Sequence, residues 1–111
     1  MFVTVYHLAE QLHWQAALES GSYTQSTRGR SLADEGFIHC STAQQWPEVR
    51  RAFYGDVSEP LVLLEIDESR LPVALVHEVG NPETGELFPH LYAPLPVAAV
   101  AHTLELAPPH A

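Results

Sequence analysis

LVLLEI, residues 61 to 66, carries five aliphatic side chains in six positions. Alternate residues of a strand point to opposite faces, so this run is apolar on both and needs cover on both. It is the expected central strand, and the rest of the chain must supply its neighbours. FVTVYH (Phe2 to His7), rich in β-branched and aromatic residues, reads as the first of them. GFIHCS (Gly36 to Ser41) holds a short strand from Phe37. Phe37, His39 and Ser41 share one face of it, Ile38 and Cys40 the other. VALVHEV (Val73 to Val79), LFPHLY (Leu87 to Tyr92) and VAAVAHTLEL (Val97 to Leu106) read as three more. Pro89 cannot donate to a ladder, so LFPHLY is expected at an edge or a bulge.

Two segments have helical spacing. In LAEQLHWQAALES (Leu8 to Ser20), Leu8, Leu12 and Ala16 form a stripe that Trp14, Ala17 and Leu18 widen; Gly21 stops it. The main helix is expected from Pro47 to Tyr54, since proline is tolerated in a first turn. Ser41 and Gln44 have capping-box spacing before it. The polar stretch from Ser22 to Gly36 reads as a loop with one helical turn at Ser31 to Asp34, and APPHA as a loose tail. A chain of 111 residues is one domain. Its ordered core is expected over about 2–106, with a tail at 107–111. Strands clustered after the helices give an α+β class, mostly antiparallel, with about six strands and two main helices.

Composition narrows the function. Fourteen acidic residues face five arginines, lysine is absent, and the formal net charge is −9. Such a chain repels polyphosphate, so no nucleic-acid partner is expected. The pairs Arg28/Arg30 and Arg50/Arg51 could hold a pyrophosphate but hardly a long nucleic acid, and the plainer reading makes all five arginines solvated surface groups. One cysteine, no apolar run of membrane-spanning length and no leader-like N-terminus give a cytoplasmic expectation, with no membrane partner.

Three histidines, His7, His39 and His90, lie in or at the ends of expected strands. At a strand end, histidine serves as acid, base, hydrogen-bond donor or metal ligand. Tyr92 shares a face with His90, and Ser41 with His39. Close metal-ligand pairs such as H-x-x-x-H or C-x-x-C do not occur, so no metal is expected, although three distant strands can still assemble a histidine site. Cys40 shares its face with Ile38, which reads as core rather than nucleophile. Ser41 reads as a helix cap before it reads as a nucleophile. Glu65 and Glu78 sit in expected strands, where a charge needs water or a partner. Glycine-rich nucleotide fingerprints are absent.

YHLA, LADEGFIHCSTAQQ, LVLLEID and FPHLYAPLP occur in this order, and together they resemble a bacterial family known only as domain of unknown function number nine hundred and fifty-two. The resemblance spans Val5 to about Val100. It implies an ADP-ribosyltransferase-like fold, a split, mostly antiparallel β-core with a cleft between two sheets. YHLA is similar to the first-strand Y-H-G-T block of such enzymes, which implies that His7 contacts the nicotinamide-side ribose of NAD. GFIHCS is similar to the V-H-L-S block of RNA 2′-phosphotransferases, which implies His39 and Ser41 beside the same cleft. FPHLY then supplies His90 as acid/base and Tyr92 to stack on the ring. His90 stands where a glutamate is usual, and Glu78 on the preceding strand is the substitute. The last block usually reads HLYGPL; Ala93 replaces its glycine and would be strained at a positive φ.

Three readings stay open. The chain binds NAD or a related nucleotide, as an ADP-ribosyltransferase or NAD glycohydrolase. It is a non-catalytic small-ligand or protein-binding module on a degenerate form of that fold. Or it is a metal-assisted hydrolase using the histidines.

Overall fold

The computed structural model describes residues 3–111. In chain order they form β1 (Thr4–Glu10), α1 (Gln11–Ser20), β2 (Ser22–Tyr23), β3 (Gln25–Thr27), β4 (Arg30–Ser31), α2 (Leu32–Glu35) and β5 (Ile38–His39). There follow α3 (Trp46–Tyr54), β6 (Leu61–Asp67), β7 (Val76–Asn81), β8 (Glu86–Leu91), β9 (Leu95–Pro96) and β10 (Val100–Leu106). The class is α+β, every ladder is antiparallel, and three helices are present among the described residues. The expected start of the first strand at Phe2 lies outside them.

LVLLEI is the centre of a three-stranded sheet, ordered β1-β6-β10. Each face is covered, as its composition requires. Val62, Leu64 and Ile66 enter one core with Val5, Ala9, Trp14, Ala17, Ile38, Cys40 and Leu91. Leu61 and Leu63 enter a second core with Leu8, Tyr54 and Leu106, against which Trp46 and Val49 of α3 pack.

The second sheet has the order β5-β8-β7. It meets the first at a single bridge, where Tyr6 and Ser41 exchange backbone hydrogen bonds of 2.7 Å. Ser41 is thus a sheet junction and not the cap of α3. The Gln45 side chain, not Gln44, accepts from the Thr42 N–H, and α3 begins at Trp46 with Pro47 in its first turn. Pro89 lies in the middle strand of this sheet, contrary to the edge expectation. Its carbonyl accepts from the Cys40 N–H at 3.0 Å. The reciprocal donor is the one proline lacks, and β5 ends at this point.

The first helix starts later than its periodicity suggests. Leu8, Ala9 and Glu10 extend β1 and pair with Leu63, Val62 and Leu61. Leu8 is therefore buried by the sheet, while Leu12 is 75% exposed. The stretch from Ser22 to Gly36 is less of a loop than expected: it makes three short strands and α2, whose N-cap Ser31 forms a capping box with Asp34. The tail is docked rather than loose. His110 is buried; its Nδ1 accepts from Arg50 at 2.9 Å and its Nε2 donates to the Glu59 carbonyl at 2.8 Å. No non-glycine residue among those described has a positive φ, so Ala93 is unstrained.

Candidate functional site

A cavity of about 320 Å³ lies beside the junction of the two sheets. His7 and Leu8 come from β1, His39 and Ser41 from β5 and the bridge after it. Ser26 and Thr27 of β3 line another part, and Arg28, Arg30 and Glu35 complete that side. Val49, Phe53 and Tyr54 of α3 face Gly80 of β7 and Phe88 of β8. The cavity therefore joins apolar walls to a few polar groups, as small-molecule sites do.

The expected site residues fall into two groups. His7, His39 and Ser41 line the cavity. His90, Tyr92 and Glu78 do not line it, but they meet one another. Glu78 Oε1 accepts from His90 Nδ1 at 2.8 Å and from the Tyr92 hydroxyl. The β7–β8 pairing explains this, since Glu78 lies opposite Phe88, two residues from His90 on the same face. Phe37 stacks on His90 with centroids 4.0 Å apart, and His39 meets His90 edge-on at 4.8 Å. His39 thus connects the cavity to the Glu78 cluster.

The electrostatics follow from these contacts. The Tyr92 hydroxyl, and after it His90, hold the Glu78 carboxyl below its usual range; the same hydrogen bond pushes Tyr92 up. His39 is lowered, first by burial and then by neighbouring His90, with Glu35 pulling the other way. The His39 ring nitrogens have no hydrogen-bond partner among the described residues, whereas both nitrogens of His7 are taken. A carbonyl only accepts, so His7 Nδ1–H donates to His39 O and Nε2 accepts from the Tyr23 hydroxyl at 2.8 Å. Burial lowers the His7 pKa to about 4. His7 is a strut of the cavity wall with no polar atom left for a ligand.

Other candidates are placed elsewhere. Cys40 is in the core, where burial pushes its thiol up to about 12. Glu65 pairs with Tyr6 and His102 in the first sheet and does not line the cavity. Arg28 and Arg30 line the cavity, but Arg50 and Arg51 do not. Among the described residues no three His, Cys, Asp or Glu side chains are grouped to hold a metal ion, and no helix is long and apolar enough to cross a membrane.

Gly80 lies just beyond the VALVHEV run, and β7 continues through it to Asn81. A glycine inside a strand marks close approach, and a Cβ here would meet Phe88 Cδ1 at 2.5 Å. Gly80→Ala is expected to displace the Phe88 ring and to destabilise by about 1–3 kcal/mol. Urea denaturation and a crystal structure of the variant check both. Ser26 and Tyr23 were missed because nothing in a polar stretch singles them out before the distant strands close over them.

The fold has solved relatives. The crystal structure of protein CC0527 from Caulobacter crescentus is 30% identical, with a TM-score of 0.76, over 92% of this chain and 84% of that one. The solution NMR structure of the same protein gives 29% identity and a TM-score of 0.69, over 91% and 82%. No curated protein matches the chain. The family model described as Protein of unknown function (DUF952) matches residues 8–103, from within β1 to within β10, and the chain belongs to that family.

Proposed function

We propose that the cavity binds a nucleotide, with NAD the first candidate, in a cytoplasmic protein. The observation that carries this is His39: a partnerless imidazole on the cavity wall, with Ser41 beside it. Two antiparallel sheets joined at one bridge, with a cavity next to the joint, support the ADP-ribosyltransferase-like reading of the core. At about 320 Å³ the cavity is near the lower end of the usual range, so it suits one half of a dinucleotide. Calorimetric titration with NAD is the test. His39→Ala is expected to weaken binding about tenfold, the worth of one buried hydrogen bond. Absence of binding at about millimolar NAD would overturn the proposal.

Binding without turnover is favoured by the placement of His90, Tyr92 and Glu78, which hydrogen-bond through Glu78 outside the cavity wall. Turnover is favoured by one atom. Glu78 fixes the proton on His90 Nδ1, and Nε2 is buried without a partner among the described residues. That tautomer is the one a base needs, and because His90 does not line the cavity it would act only after a rearrangement that opens Nε2 to it. In glycohydrolysis water would attack the ribose anomeric carbon, the C–N bond would break with its electron pair leaving on nicotinamide, and the water proton would pass to imidazole. His90→Ala separates the two. A binder keeps its NAD affinity and releases no nicotinamide in either form; an enzyme loses nicotinamide release in the variant.

A further inference from the structure

We infer that the cavity recognises the phosphate-free part of its ligand, a ribonucleoside, with Ser26 as a contact residue, and that the phosphates add nothing to affinity. This rests on the nucleotide reading above and makes it narrower.

Ser26 lies on β3 with no exposed surface, and it lines the cavity. Its hydroxyl has no hydrogen-bond partner among the described residues. A buried hydroxyl without a partner is a standing cost to the fold. A ligand group that bonds to it would remove that cost on binding. The Ser41 hydroxyl and the His39 ring also line the cavity, while the Thr27 and Tyr54 hydroxyls on its wall bond to each other. Ser26, Ser41 and His39 can all be neutral, and each can both donate and accept. That is the complement of a sugar diol, whose hydroxyls do the same. Leu8, Val49, Phe53 and Phe88 supply apolar wall for a flat base.

The cationic side of the cavity argues against phosphate. Arg28 is 2.6 Å from Asp56 and also donates to the Phe53 carbonyl at 3.0 Å. Arg30 lies 3.5 Å from Glu35. Each guanidinium that could hold an anion already faces a carboxylate, and the chain carries a net charge of −9 around them. A phosphate would have to displace those carboxylates in a repulsive field.

The test is calorimetric titration of wild type and Ser26→Ala with adenosine, nicotinamide riboside, their 5′-monophosphates and NAD. For the base that binds, the nucleoside is expected within about threefold of its monophosphate, with little change as salt is raised to about 0.5 M. Ser26→Ala is expected to lose about tenfold in affinity. Its thermal midpoint should be unchanged or higher, because the unpaired hydroxyl is gone, so a folding defect cannot imitate the loss. A monophosphate binding more than about tenfold tighter than its nucleoside would overturn this inference and leave the nucleotide reading standing. Wild-type affinity in Ser26→Ala would overturn the role of Ser26 alone. Silence from all five ligands at about millimolar would overturn both readings together.

Discussion

Between pH 7 and pH 4 the protein is expected to lose about 3 kcal/mol of stability through His7. The ring is buried, with Nδ1–H given to the His39 carbonyl and Nε2 accepting from Tyr23. Protonation would put a second N–H against the Tyr23 hydroxyl and a charge in the core. Burial therefore lowers the folded pKa from 6.5 to about 4. Between those values the unfolded chain binds a proton that the folded one refuses. Stability is thus complete above about 6.5, falls as the pH drops towards 4, and levels off below. At about 1.4 kcal/mol per pH unit, that gap gives the figure above. His39 is lowered too and adds in the same direction. Asp34, Asp56 and Glu78 have lowered values, so their contributions are lost below the ordinary carboxylate range, outside most of this window. Urea denaturation of wild type and His7→Gln from pH 4 to 7 checks the assignment. The variant should be less stable at pH 7 and show a shallower slope. An unchanged slope would mean that His7 is not the buried titrating group. The same experiment explains why His7→Ala is a poor probe of ligand binding: its cost lies in the fold.

What the sequence makes legible follows from how local each signal is. LVLLEI declares a central strand because both faces are apolar, whatever pairs with it. Ile38 and Cys40 alternate with His39 and Ser41, and the two sets separate into core and cavity wall. Glu78, His90 and Tyr92 meet through a single hairpin, so residue type and strand face are enough to select them. The start of α1 was not legible. β1 passes straight into it at Glu10, whose side chain makes no capping bond, and Leu8 fits the helical stripe by chance. The cavity side formed by Ser26, Arg28 and Arg30 was not legible as one surface either. β3 and β4 are too short to show a period, and their place depends on contacts with β5 and α2. His110 is the same case. Nothing in APPHA announces that Arg50 and Glu59, more than fifty residues upstream, will hold it.

Leu64→Ala is expected to lose about 3–5 kcal/mol, a large share of what holds a domain of this size together. Leu64 has no exposed surface and stands at the middle of β6, opposite His7 on β1 and Thr103 on β10. Hydrogen-bonded strands on both sides leave the backbone little freedom to close the space left by the side chain. Leu104→Ala on β10 is the control, because Leu104 is 52% exposed; it should cost about 0.5 kcal/mol or less. Leu63 is the sharper comparison. It is adjacent in sequence but belongs to the other core, beneath α3. If β6 is apolar on both faces because both are buried, Leu63→Ala must also lose about 2–5 kcal/mol. Urea denaturation of the three variants decides the matter. A large loss in Leu64→Ala with almost none in Leu63→Ala would make β6 a one-sided strand, and LVLLEI would then owe its second apolar face to something other than the packing of α3.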